Sequence, residues 1–110
     1  MITPRRLIPG ITLTASLVTL YTVPSTSTSA TTKQLIVCNT DVVARSFTYH
    51  VVPGAGTAGV PTTMFSGVVL QAGESKVFGL TDVMPVGYFI QAKADVTAVV
   101  SLTVSGMENT

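Results

Sequence analysis

Apolar and polar residues alternate along much of this chain, and the alternation is clearest near its C-terminal end. Between residues 96 and 106, apolar side chains occupy every second position: Ala98, Val100, Leu102 and Val104. Successive side chains of a β-strand point to opposite sides of the sheet, so this period of two predicts a half-buried strand. Residues 87–94 predict another strand, joined to it through Asp95. The two together are predicted to form a tight antiparallel hairpin.

The same pattern predicts further short strands upstream, at 11–14, 17–23, 33–39, 45–52, 62–70 and 74–80. In 45–52, Phe47, Tyr49 and Val51 fall on one side of the strand. Helix is the alternative for 13–20, but its threonines and Val18 favour β structure. Residues 24–29 and the proline- and glycine-rich segment 53–61 predict loops, the second of them exposed and mobile.

These elements predict an all-β fold: a single β-sandwich of about seven or eight antiparallel strands. Its topology is predicted to be either jelly-roll or immunoglobulin-like. The cysteine–tryptophan–cysteine pattern of true immunoglobulin domains is absent, because the chain has one cysteine and no tryptophan. The strand pattern alone does not choose between the two topologies.

The N-terminal segment predicts an extended arm over 1–16, followed by the sandwich domain over 17–110. Pro4, Pro9 and Gly10 interrupt regular structure there. The arm is either a frayed terminus or a segment that docks on a neighbouring protein, with Arg5 and Arg6 meeting carboxylates. Two arginines before an apolar stretch superficially resemble a secretory signal, but the prolines, glycine and threonines within it predict that it is not one.

Composition narrows the classes of function. Only 10% of the residues are charged, against about 25% in an ordinary soluble domain. We therefore expect a partner to cover part of the outer surface. A net charge of +1 gives no attraction to nucleic acid or to anionic lipid. No apolar run reaches the roughly 18 residues of a membrane span, so neither nucleic acid nor a membrane is predicted as a partner.

The residues that carry chemistry are few and scattered, so we predict no catalytic residue, no metal site, no cofactor and no enzymatic activity. The acids lie at predicted turns or near the terminus: Asp41, Glu74, Asp82, Asp95 and Glu108. A glycosidase would need two facing carboxylates. His50, on the polar side of its strand, is interpreted as a surface residue, and Cys38 as a small buried apolar residue.

The final hairpin carries apolar residues on both faces, which is the more informative feature. Val96 and Val99 fall opposite the inward set, and Tyr88 and Phe89 point opposite ways. A face exposed to water should be polar, so a contact with another subunit is predicted, although single exposed valines are common. The candidate protein contacts are the two arginines of the arm, the glycines of the 53–61 loop and these outward residues: Arg5, Arg6, Gly54, Gly56, Gly59, Phe89, Val96 and Val99.

Several segments resemble a group of small structural proteins of tailed bacteriophages and prophages. They are 20–24 (LYTVP), 36–40 (IVCNT), 50–53 (HVVP), 56–58 (GTA), 70–75 (LQAGES), 90–94 (IQAKA) and 104–106 (VSG). The likeness extends over 17–108 and consists of strand and turn patterns. The Ser/Thr-rich loop 24–32 departs from it in being longer than expected.

The resemblance implies a β-sandwich component of the virion: a head decoration protein, a head or neck fibre, or a tail accessory part. Its implied partners are sister subunits in a homo-oligomer such as a trimer, and capsid, neck or tail proteins. The implied location is the virion, after assembly in the host bacterial cytoplasm. The alternative is a host-surface carbohydrate-binding module of a phage fibre. Only Tyr49, Tyr88 and Phe89 could then supply an aromatic platform, and Tyr49 is expected to face the core.

Overall fold

The computed structural model describes residues 2–54 and 56–110 of the chain. Met1, the first residue of the predicted arm, and Ala55, in the predicted 53–61 loop, lie outside the described residues. The elements in chain order are β1 (Ile2–Thr12), β2 (Val18–Thr22), β3 (Ser29–Asn39), β4 (Arg45–Val52), a 3-10 turn (Val60–Thr62), β5 (Thr63–Leu70), β6 (Ser75–Pro85), β7 (Phe89–Ala94) and β8 (Val100–Asn109).

The strands form two antiparallel sheets of four strands each. The first sheet has the order β1-β8-β3-β6 and the second has the order β2-β7-β4-β5. The first strand therefore pairs with the last, the second with the seventh, the third with the sixth and the fourth with the fifth. This nested pairing is that of an eight-stranded jelly roll. It differs from the ABED and CFG sheets of an immunoglobulin domain, so the pairing chooses between the two predicted topologies.

The predicted N-terminal arm is extended, but its residues 2–12 are strand β1 of the sandwich. This strand pairs along β8 from Ile2 opposite Asn109 to Thr12 opposite Ser101, with two register shifts. Leu7 and Ile8 are both buried in the core. Because β1 is an edge strand, its prolines can sit where no backbone donor is needed. The segment is thus part of the fold rather than an arm in front of it.

The predicted C-terminal hairpin is wrong, because its two strands lie in different sheets. β7 pairs with β2 and β4, whereas β8 pairs with β1 and β3. Residues 95–99 carry the chain between the sheets: Asp95 N–H donates to Ser46 O, and Ala98 N–H donates to Leu13 O. Ala98 takes a left-handed φ of 71°, which few residues other than glycine adopt. The inward positions Val100, Leu102 and Val104 are confirmed, each being 0% exposed. The predicted inward position of Ala98 is wrong, because Ala98 is exposed and precedes β8.

The core fills the space between the sheets with aliphatic and aromatic side chains. Phe47, Tyr49 and Val51 all lie on the inward side of β4, as predicted. Phe65 on β5 and Phe78 on β6 meet with ring centroids 4.7 Å apart. This contact closes the side of the sandwich on which the two edge strands β5 and β6 run, and Lys76 Nζ donates to Val69 O across the same gap at 3.1 Å.

Candidate functional site

The outer face of the first sheet is built from residues that alternate outward along β8, β3 and β6. Those residues carry no charge: Ser101, Thr103, Ser105 and Met107 on β8; Thr31, Gln34, Ile36 and Cys38 on β3; and Ser75, Val77, Gly79, Thr81 and Val83 on β6. Val77 and Val83 are 58% and 60% exposed. Lys33 lies at the bulge where β3 changes register against both neighbours. The face is therefore weakly polar and suited to contact with another protein surface.

Cys38 lies on this face and is half-buried, so its interpretation as a buried core residue is wrong. The run Leu35-Ile36-Val37-Cys38 is apolar throughout because β3 is apolar on both sides. Leu35 and Val37 point into the core. Ile36 stands opposite Val77 and Thr103 on the outer side.

The four edge strands differ in how well they are protected against pairing with another chain. β1 carries two prolines, two arginines and two register shifts, which are devices that block such pairing. β2 has only five residues, and β5 has irregular pairing and a left-handed Gly67 with φ of 56°. β6 has 11 residues, and its outward side chains are small, β-branched or hydroxylated. β6 shifts register once against β3, between Gly79 and Asp82, and its two charged residues, Lys76 and Asp82, alternate with the outward set. Of the two edges of the first sheet, β6 therefore carries fewer such devices than β1.

The outer face of the second sheet carries polar residues together with Val69, which is 51% exposed, and residues of the 56–62 segment lie against it. His50 points outward on β4 but is only 7% exposed, so its interpretation as a surface histidine is wrong. Its Nδ1 lies 3.0 Å from Thr62 Oγ1. The hydroxyls of Thr62 and Thr63 also lie within hydrogen-bond distance of Gly59 O. The ring thus links the segment to the sheet.

An open depression of about 360 Å³ lies further along the same face, lined by Ala15, Ser46, Thr48, Lys93, Ala94 and Asp95. None of these lining residues is aromatic. Tyr49 is 0% exposed, which confirms that it faces the core, and Tyr88 packs against the core. The aromatic side chains named for a carbohydrate platform are therefore separate from this depression.

The buried carboxylate of Glu108 and the half-buried phenol of Tyr21 connect the sheets. The hydroxyl of Tyr21 on β2 donates to Glu108 Oε2 on β8, and Arg5 Nη1 on β1 lies 2.7 Å from Glu108 Oε1. Burial, followed by the bond to Glu108, raises the pKa of Tyr21. The carboxylate partner of Arg5 is thus in its own chain. Elsewhere between the sheets, Tyr49 Oη and Asp82 Oδ2 are buried without a hydrogen-bond partner, and burial raises the pKa of Asp82.

Asn39 organises the end of the sandwich at which β3 ends. Its side chain is 0% exposed. Nδ2 donates to the carbonyls of Val43, Leu70 and Gln71 at 2.9, 3.2 and 3.1 Å. Oδ1 accepts from Asp41 N–H at 2.9 Å. One amide therefore connects the β3–β4 turn to the end of β5.

The predicted contact residues do not form one surface. Gly54 packs on the backbone of Gly87, where an added Cβ would lie 3.0 Å from Gly87 O, and Phe89 begins β7 beside it. Gly56, Gly59 and Arg6 are exposed. Val96 and Val99 follow the far end of β7. Val99 packs against the core, so its predicted position on an outer strand face is wrong.

Sequence reasoning predicted the first half of β6, as the strand at 74–80, but not its continuation to Pro85 or its position at the edge of a sheet. Its prediction stopped at residue 80, before the strand's second half. The signal was present in the sequence as uncharged residues at every second position from Ser75 to Val83. Edge strands and central strands of a sheet can both show this alternation, so it does not distinguish an exposed edge strand from a central one.

Within residues 2–54 and 56–110, no group of three or more histidine, cysteine, aspartate or glutamate side chains could hold a metal ion. In the same part of the chain, no helix is long and apolar enough to cross a membrane.

No protein-family model matches the chain, and no curated protein sequence matches it. Among solved structures, a chain of the T13 IBDV viral particle is similar in fold, with a TM-score of 0.50 and 13% identity over 96% of this chain. A chain in the structure of infectious bursal disease virus Gx strain matches 98% of this chain with a TM-score of 0.45 and 13% identity. In both comparisons this chain spans 30% of the length of the viral chain.

Proposed function

We propose that this protein is a non-enzymatic structural subunit of a virus particle, and that it works by binding copies of itself and neighbouring particle proteins. The jelly-roll pairing of its eight strands is the observation that carries the proposal. Viral capsid domains commonly have this fold, as lectins and cupins also do. The similar fold of a chain from an icosahedral virus particle favours a viral structural protein over a lectin or a cupin.

The distribution of charge supports a binding role. Apart from the exposed Lys33 at the β3 bulge, the outward residues of β8, β3 and β6 are uncharged, and Val77 and Val83 expose more than half of their surface. The buried carboxylate of Glu108 has structural partners, since Tyr21 and Arg5 share it. A subunit that is covered by neighbours on one face has little need of charge there.

Within this proposal, the finer assignment is a tailed-bacteriophage or prophage protein: a head decoration protein, a head or neck fibre, or a tail accessory part. It would assemble in the host bacterial cytoplasm and remain in the virion as a homo-oligomer. The sequence resemblance over 17–108 supports this assignment.

Immunogold labelling of purified particles from the virus or prophage that encodes the chain tests the proposal. We expect labelling at regular positions on the particle, and none on particles made after deletion of the gene. The proposal is wrong if the protein stays entirely in the particle-free fraction of a density gradient.

The depression on the second sheet favours one other function, carbohydrate binding, because Ser46, Thr48, Lys93 and Asp95 bring polar groups together there. A glycan array with the full chain tests it. Saturable binding that is lost in Lys93→Ala and retained in Lys33→Ala would favour the carbohydrate-binding module.

A further inference from the structure

We propose that the free edge of β6 is a self-association site, at which β6 pairs antiparallel with β6 of a second copy about a two-fold axis at Gly79. The pairing would join the two first sheets into one continuous sheet. The inference rests on the proposed function, since a particle subunit must contact its own copies, and it adds which strand does so and in which register.

The backbone of β6 is oriented for strand addition. Asn39 N–H donates to Glu74 O, and Lys76 and Phe78 stand opposite Val37 and Leu35 of β3. Hydrogen-bonded and non-hydrogen-bonded pairs alternate along an antiparallel ladder. The backbone N–H and C=O groups of Lys76 and Phe78 therefore bond to β3, whereas those of Val77 and Gly79 point to the free edge. Strand addition uses such groups without needing any special side chain.

The side chains along this edge do not block a second strand. A Cβ added at Gly79 would meet nothing within 4 Å. Val77 and Val83 are exposed and uncharged. The other edge of the first sheet, β1, carries Pro4 and Pro9, which remove donors from a ladder. Of the two edges of the first sheet, β6 is therefore better suited than β1 to pair with a further strand.

Charge selects the register. With the axis at Gly79, Lys76 of each copy stands opposite Asp82 of the other, on the same side of the sheet. Asp82 is partly exposed at the edge, so an ammonium from the second copy would form an ion pair with its carboxylate. An axis one residue further, at Leu80, would place Lys76 opposite Met84 and Phe78 opposite Asp82, which pairs no charges.

Sedimentation velocity of the full chain over a range of concentrations measures the association. We expect a monomer–dimer equilibrium in the wild type. Gly79→Pro removes an outward N–H, and Val77→Lys adds a charge to the edge, so each should weaken the dimer by at least about tenfold. Val42→Lys is the matched control, because Val42 is 86% exposed and lies in the β3–β4 turn. Thermal unfolding of dilute samples checks that each variant folds.

Disulfide trapping tests the register, in a Cys38→Ser background. Two-fold-related residues at the axis have Cα atoms ~5.5 Å apart, within the range of a disulfide. Gly79→Cys should therefore oxidise to a covalent dimer. Val77→Cys should not, because the copies of residue 77 would be ~14 Å apart, four residues along the strand.

The inference is overturned by a wild type that stays monomeric, by a dimer that Gly79→Pro leaves unchanged, or by cross-linking of Val77→Cys in preference to Gly79→Cys. Immunogold labelling separates this failure from failure of the proposed function. Labelled particles with no β6 dimer would leave the virion role standing, and a β6 dimer without labelled particles would remove only that role.

Discussion

The phenol of Tyr21 donates a hydrogen bond to the carboxylate of Glu108, and so joins the second sheet to the first. Glu108 is buried on β8, and its other oxygen receives Arg5 from β1. A buried carboxylate is costly unless its oxygens are paired. The three side chains therefore behave as one unit that includes the N-terminal strand.

Tyr21→Phe should lower the free energy of unfolding by about 1–3 kcal/mol, because it leaves Glu108 Oε2 without a donor. Urea denaturation measures the change. Tyr88→Phe makes the same chemical change at the other half-buried tyrosine and should have little effect. Equal losses in the two variants would contradict the role given to the Tyr21–Glu108 bond.

Asn39→Ala should destabilise the protein by about 2–4 kcal/mol. The buried carbonyl of Leu70 and the part-buried carbonyl of Gln71 would lose their donor, and an unpaired buried acceptor costs about 1–3 kcal/mol. Asn39→Asp should be at least as harmful, because an ionised carboxylate cannot donate. Denaturant midpoints of both variants give the test, with Asn109→Ala as an exposed control. A loss smaller than that of the control would refute this account of the amide.

Gly106→Ala should prevent stable folding or cost at least about 3 kcal/mol. A Cβ at this position would lie 2.0 Å from Thr31 O, and backbone crowding of that kind cannot be relieved by a rotamer change. Gly59→Ala is the control, since its Cβ would meet only Pro61 Cδ at 3.8 Å. Circular dichroism during heating distinguishes the two; a cooperative transition at the wild-type temperature in Gly106→Ala would show that β8 can shift.

His50→Ala should release the 56–62 segment while leaving the core intact, because the ring bonds Thr62 on the outer side of the sheet. Hydrogen exchange should become faster at residues 59–63 and remain slow in β8. Thr57→Ala, in the exposed part of the segment, is the control. Unchanged exchange at 59–63 would mean that the 3-10 turn holds the segment without the histidine.

Asp82→Asn should stabilise the monomer at neutral pH. Burial raises the folded-state pKa of Asp82. The stability contribution of such a group is present in full below its unfolded pKa of about 3.9 and is lost as the pH rises through the folded value. The advantage of the variant over the wild type should therefore shrink as the pH falls toward that range. Unfolding of dilute samples across this pH range measures it.

The same substitution should act with the opposite sign on the proposed β6 dimer, because the amide removes the charge that Lys76 of the second copy would meet. Sedimentation velocity at neutral pH should show a weaker dimer for Asp82→Asn. A variant that is less stable as a monomer and equally dimeric would contradict both readings of this carboxylate.

Alternation along the sequence was sufficient for most strand positions. The strand predicted at 45–52 has the bounds of β4, Arg45–Val52, because side-chain direction in a strand follows from the local backbone alone. The same local rule placed Leu102 and Val104 inward and Tyr49 in the core. Low charge predicts a surface that another protein covers, and this stays a prediction.

Only the tertiary structure decided which strands are neighbours. A strand with apolar residues on one side can bury them in either sheet. The sequence pattern therefore predicted a hairpin of β7 and β8, although the two strands belong to different sheets. The prolines that predicted an arm are tolerated in β1 because β1 lies at one edge of the first sheet. The same sheet order places β6 at the other edge, where one side of its backbone is free. Period and composition describe one strand at a time, whereas edges, buried partners such as Tyr21 and Glu108, and the free side of Gly79 exist only once distant segments have paired.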